Sequence, residues 1–300
     1  MIRAQRDAYA HLNNCVLHLA NQGVTINEMH NVYRQPKSLQ RQWAAHSYHG
    51  SEEHNSRAVI NRYLGYWDGN PATLIPLSPR ESAPLYVSMM GGADKILAKA
   101  GELHGRGEDL LAMELLNKLV YAEPDNEAAK ELLADVFEQI GYQKESTSLR
   151  NAFLAAALEL RSGMPSAAAP VIGPDMLRSL STEQLLDLAA IRLDSEKAEG
   201  QRFTFNLVTP DTGEKFVVEL SNATLTHIKG IQAGTPDATL TVDRSDLLPL
   251  LAGMVPMETL IQSGKARLDG DGAVLARLRA LLVSFKPDFE IMPGTRTSTR

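Results

Sequence analysis

The chain has one cysteine, Cys15, in 300 residues. A lone thiol cannot close an intrachain disulfide, so no disulfide framework holds this fold and cysteine usage says nothing of compartment. Long apolar runs are missing too: no stretch approaches the roughly 20 residues of a membrane span. Basic charge is short, with 30 Lys and Arg against 36 Asp and Glu for a formal charge of -6. Phosphate neutralisation wants a basic face and none is evident, so nucleic acid is not an expected partner. The N-terminus lacks the apolar core of a secretory signal, because Ile2-Arg3-Ala4-Gln5-Arg6-Asp7 is polar and helix-like. A cytoplasmic location is the expectation for the sequence as written. No cap residue or hydrophobic staple precedes that first helix, as though upstream sequence had been removed.

What remains is ordinary for a globular protein, with hydrophobic residues at 44% and charged residues at 22%. The length allows two modest domains with an ample core. Tyr9, Leu12, Val16, Leu19 and Ala20 recur at helical spacing between Arg3 and Asn21, and Gly23 stops that pattern. Short helices are expected around Ile26 to Val32 and from Ser38 to Ala45. A polar loop is read from Tyr48 to Asn55, a helix from Ser56 to Tyr66, and an irregular packed segment from Leu74 to Pro84. Four amphipathic helices follow, over Ala93 to Leu103, Glu108 to Val120, Asn126 to Ile140 and Lys144 to Leu160. Gly107, Ala112, Leu116 and the Tyr121–Asn126 turn resemble a tetratricopeptide unit. One such unit cannot bury its own faces, so a second copy of the chain is the expected cover.

Residues 163–172, small and proline-bearing, read as a linker between a helical domain at 1–162 and a terminal domain at 173–300. The terminal domain opens with Ser181 and Gln184 at capping-box spacing. Alternating runs at 202–208, 214–220, 224–229 and 238–242 predict strands, followed by helices, a short strand near 266–269 and a last helix from Ala273 to Phe285. The pattern predicts an antiparallel α+β domain packed on one sheet face.

Catalytic chemistry is not visible. His11, Cys15 and His18 lie along one helical face, but Leu12, Val16 and Leu19 surround them with a packing stripe. His46, His49, Glu52, Glu53 and His54 cluster in the polar loop without a His-x-His or His-Glu-x-x-His spacing, which reads as a surface loop or an intersubunit contact. Neither a nucleophile elbow nor a phosphate-binding glycine loop occurs. Asp269-Gly270-Asp271-Gly272 lacks the further ligands of a calcium loop and reads as a turn. Binding is the better expectation. Phe203, Phe205, Leu240 and Val242 share a sheet face, and Met254, Met257 and Leu260 lie on the helices that cover it. They form either a packed core or an adaptable pocket for an apolar chain.

Two stretches carry a family resemblance. Tyr48-His49-Gly50-Ser51-Glu52-Glu53-His54-Asn55-Ser56-Arg57-Ala58-Val59, followed by Tyr63-Leu64-Gly65-Tyr66-Trp67-Asp68-Gly69-Asn70-Pro71, resembles the dimerisation region of the zinc-dependent alkylsulfatases. So do Tyr86 to Ala93 and Gly141 to Ser146, with Arg150-Asn151 after them. Phe203 to Leu207, Ala238 to Val242 and Gly264 to Gly270 resemble the sterol-carrier-protein-like C-terminal domain of the same enzymes. The resemblance implies a homodimer, a terminal domain that holds an alkyl chain or fatty alcohol, and cleavage of primary alkyl sulfates such as dodecyl sulfate. It places the two zinc ions in an upstream metallo-β-lactamase-like domain, so no cofactor is expected in this chain and the chain alone is expected to be inactive. A separate zinc catalytic domain is then a possible partner, and a standalone apolar-ligand carrier is the alternative. Full-length relatives are often periplasmic or secreted. The sequence departs from the family pattern at Asn13-Asn14, where a His-Asp pair is usual, at His49, usually a tyrosine, and at Ser51-Glu52-Glu53, usually a neutral segment.

Overall fold

The computed structural model describes residues 1–164, 176, 179–251, 254–286 and 288–296. Most of the expected linker, from 165 on, lies outside the described residues. The chain divides into two compact units, Met1–Ser166 with Asp288–Arg300, and Ala167–Pro287.

The first unit is helical: α1 (Ile2–Asn21), α2 (Met29–Val32), α3 (Lys37–Gln40), α4 (Glu52–Leu64), α5 (Pro79–Met89), α6 (Ala93–Gly105), α7 (Asp109–Ala122), α8 (Glu127–Tyr142) and α9 (Thr147–Ser162). Two of these correct the sequence reading. Helix α4 starts inside the segment read as a loop, because the Ser51 hydroxyl accepts the His54 N–H and Glu52 and Glu53 put negative charge at the positive end of the helix. Helix α5 forms where an irregular segment was expected. Ser78 and Glu81 close a capping box and Pro79 occupies the first turn, where its missing N–H costs nothing. Pro84 sits further in and removes one backbone bond, which the other starting signals outweigh.

Burial follows the helical periodicity. Val16, Ile26, Met29, Tyr33 and Ile60 make a small core where α1, α2 and α4 meet. A larger core joins α5 to α9 through Ala112, Leu116, Leu119, Leu133 and Phe137 among others. Met292 also belongs to it. The last described residues thus pack with the helical unit, although the sequence reading counted them with the terminal domain of 173–300. Glu159 fastens this tail. Its Oε1 accepts the N–H of Ile291 (2.8 Å), the N–H of Met292 (3.1 Å) and the hydroxyl of Thr295 (2.7 Å). Gly294, at φ +74°, lies so close to the Pro124 carbonyl that any Cβ there would collide with it.

The second unit contains α10 (Thr182–Ile191), α11 (Ser195–Ala198), β1 (Phe203–Thr209), β2 (Glu214–Ser221), β3 (Thr224–Lys229), β4 (Ala238–Val242), α12 (Arg244–Leu251), α13 (Met257–Gln262), β5 (Ala266–Gly270) and α14 (Ala273–Leu281). Its sheet has the order β3-β2-β1-β4-β5. Neighbours are antiparallel except β1 and β4, which run parallel with Phe205 opposite Ala238 and Leu207 opposite Leu240. The expected all-antiparallel sheet is therefore mixed. The chain leaves β3 at one edge and crosses to the far side of β1 before β4 begins. Asn206 pins that crossover, its Nδ2 donating to the Ala233 carbonyl (3.1 Å) and its Oδ1 accepting the Ala233 N–H (2.8 Å). Because Asn206 points opposite to Phe205 and Leu207, the crossover runs over the polar face and leaves the apolar face to the helices. The last helix ends at Leu281, earlier than expected, since Val283 donates its N–H to the Arg192 carbonyl instead.

Candidate apolar-chain cavity

Strand alternation builds the floor of the site. Phe205 and Leu207 on β1, Val218 on β2 and Leu240 on β4 all face the helical layer, and each is almost fully buried. The helices above do not close onto them completely. A cavity of about 310 Å³ remains, walled by Leu186 and Ala189 of α10, Leu247 and Leu251 of α12, Met257 and Ile261 of α13, and Leu275 and Leu278 of α14. A smaller void of about 80 Å³ shares Ala189, Leu251 and Leu282 with it and reaches Arg192. Protein interiors seldom keep voids much larger than a water molecule. At about 24 cal/mol per Å³, an empty space of this size would cost on the order of 7 kcal/mol if the structure could not collapse around it. The volume falls at the low end of the ~300–1,000 Å³ typical of small-molecule sites. It matches roughly ten methylene-sized groups, taking the ~30 Å³ liquid volume of one water as the unit.

The entrance can be placed by exposure. Among the wall residues, those open to solvent are Glu258 and Ile261 on α13 and Gly272, Ala276 and Arg279 on α14 or at its cap. The mouth therefore lies between these two helices. Gly272, Leu275, Ala276 and Arg279 follow one helical stripe, so the same face that lines the cavity carries a guanidinium to its rim.

Of the residues picked out by sequence, Phe205, Leu240 and Met257 line this cavity. Phe203, Val242 and Leu260 are buried in the surrounding core, with the Phe203 ring under the Arg277 guanidinium at 5.6 Å. Met254 is not brought to the site: it is 71% exposed beyond the end of α12. The rim charges Glu258 and Arg279 were missed by sequence reasoning. A cation continuing an apolar stripe is the signal that marks Arg279, while nothing local marks Glu258.

The helical unit holds a second opening, a polar cleft of about 440 Å³ lined by Tyr33, His46, Glu52, Glu53 and Lys144 among others. Burial, and then the neighbouring Glu53, push the Glu52 carboxyl up from its usual range. Burial would also raise Glu53, but the Lys144 ammonium 2.9 Å away holds it low. Hydrogen bonds to the Gln40 carbonyl (2.8 Å) and to Glu145 (3.2 Å) push His46 up. Glu53 is paired with Lys144 and His46 with Glu145. Among the described residues, no three His, Cys, Asp or Glu side chains converge as a metal site. The helical-face set also disperses: His11 Nε2 lies 3.3 Å from the Arg34 carbonyl, His18 pairs with Gln22, and Cys15 packs beside the small core. Neither set of donors picked out by sequence is thus brought onto a single point among the described residues.

Comparisons with known proteins divide the chain near residues 163–170 and count the tail to residue 294 with the second part. The alkyl sulfatase dimerisation family profile matches residues 25–163, and the alkyl sulfatase C-terminal profile matches residues 170–294. An (R)-specific secondary-alkylsulfatase of Pseudomonas sp. is 40% identical over 96% of this chain and 43% of its own length. An alkyl/aryl-sulfatase of Saccharomyces cerevisiae is 36% identical over 100% of this chain and 46% of its own length. The solved structure of a stereoselective inverting sec-alkylsulfatase from Pseudomonas sp. superposes with a TM-score of 0.90, at 40% identity, covering 96% of this chain and 46% of that one. The chain spans less than half the length of these relatives. It belongs to the alkylsulfatase family, of which it carries the dimerisation and C-terminal domains.

Proposed function

We propose that this chain is the subunit-pairing and alkyl-chain-holding part of an alkyl sulfate hydrolase, with ester cleavage performed by a zinc-bearing domain outside residues 1–300. The observation that carries the reading is the apolar cavity of the second unit, whose walls are aliphatic and whose charged residues sit only at the rim. Burying each methylene contributes about 0.8 kcal/mol. A chain of about ten carbons therefore gains on the order of 8 kcal/mol before the cost of immobilising it. Medium-length alkyl sulfates such as dodecyl sulfate, or the alcohols they yield, are the ligands of suitable size. Relatives bear the names of primary and of secondary alkylsulfatases, and the cavity walls offer no feature that separates the two.

The test is displacement of the uncharged fluorescent probe N-phenyl-1-naphthylamine from the full chain by alcohols of six to sixteen carbons. Affinity should rise with length and level off near ten to twelve carbons, and Leu240→Trp, which fills the cavity, should abolish the length dependence. Absence of any probe binding would remove the chain-holding role.

A further inference from the structure

Glu258 on α13 and Arg279 on α14 both line the cavity, and both are exposed. Among the described residues neither has an ion-pair partner, although most surface charges nearby do, including Lys265 with Asp246 and Arg277 with Asp271. A ligand whose chain fills the cavity leaves its head at a rim that carries one acceptor-only carboxylate and one donor-only guanidinium.

We propose that this pair makes the mouth selective for an uncharged alcohol over an alkyl sulfate anion, so that the second unit takes up the product of ester cleavage rather than its substrate. The inference rests on the chain-holding role proposed above. A hydroxyl both donates and accepts: its O–H can donate to the Glu258 carboxylate while its oxygen accepts from Arg279. A sulfate monoester carries only acceptors. It can pair with Arg279, but it then faces Glu258 with like charge and must give up strong hydration near an apolar wall. Hydrolysis of an alkyl sulfate releases an alcohol and sulfate, and an alcohol of this chain length is poorly soluble. An apolar cavity with a mouth of no net charge is a suitable sink for it.

The experiment uses the full chain loaded with N-phenyl-1-naphthylamine and compares displacement by 1-decanol and by decyl sulfate below its micelle concentration. The wild-type chain should release probe at about tenfold lower 1-decanol than decyl sulfate, a difference of about 1.4 kcal/mol. Glu258→Gln leaves the mouth net positive and should narrow or reverse that ratio, whereas Arg279→Gln should widen it. Equal or tighter displacement by decyl sulfate in the wild type, or a ratio unmoved by Glu258→Gln, overturns the headgroup selectivity alone. Failure of the probe and of both amphiphiles to bind, checked by calorimetry, overturns the chain-holding role and this inference with it.

Discussion

Between β2 and β3 the backbone turns on Asn222 at φ +49° and Ala223 at φ +55°, both in the left-handed region. Positive φ at both central residues is the mark of a type I′ hairpin, whose twist suits the flanking strands. Asparagine tolerates that conformation, but an alanine Cβ collides with its own carbonyl there, at about 1 kcal/mol. Ala223→Gly is therefore expected to raise stability by roughly 0.5–1 kcal/mol, read as a higher denaturant midpoint with an unchanged slope. The sequence showed where this turn falls, from Ser221-Asn222 between two alternating runs, yet not the strain at Ala223, which depends on the hairpin's length. The same limit applied at the cavity. Strand alternation placed Phe205 and Leu240 on the wall, while Met254, equally apolar, ended up on the surface because α12 stops just before it.

Among the elements, those with strong local signals were legible: α6 to α9, α10 with its capping box, and all five strands lie within a few residues of their expected bounds. The first turn of α4 and most of α5 were not, because a cluster of His and Glu and a pair of prolines resemble a loop when cap geometry is ignored. The tail was hidden for a different reason. Residues 288–296 have no periodicity, and their place is set by long-range bonds to Glu159 rather than by any local preference. Replacing Glu159 by Ala strands the backbone N–H groups of Ile291 and Met292, while the Thr295 hydroxyl keeps the Met292 carbonyl as an acceptor. It should destabilise the helical unit by about 3 kcal/mol. Glu159→Gln, which keeps an acceptor, should cost clearly less. Equal losses for the two variants in urea unfolding would show that the carboxylate is not what holds the tail.

For the molecule as a whole, the unpartnered apolar surface of the helical unit is the feature with most bearing on assembly. Between α4 and α5, Tyr66, Ile75 and Leu77 are 73%, 89% and 66% exposed, and Met89 at the end of α5 is 80% exposed. Large side chains in such concentration on one segment are unusual for a chain that stays single in water. Light scattering at micromolar concentration should give a mass twice the 32.8 kDa of one chain. Ile75→Glu combined with Leu77→Glu should return it to the single value without loss of helix. A monomeric wild-type mass would contradict pairing through this surface. That two domains are present was readable from the change of periodicity across the middle of the chain. That residues 288–296 return to the first of them was not, since sequence order gives no hint that a segment returns.

Because the tail rejoins the helical unit, the cavity-bearing unit is an insertion held by two covalent tethers rather than a bead at the end of a string. A protease that nicks one connection would therefore leave the cavity attached to the helical unit, by the other tether and by the grip of Glu159. Release requires both connections to be cut, or the first cut together with loss of that grip, so the cavity and the helical unit are kept, or lost, as one object.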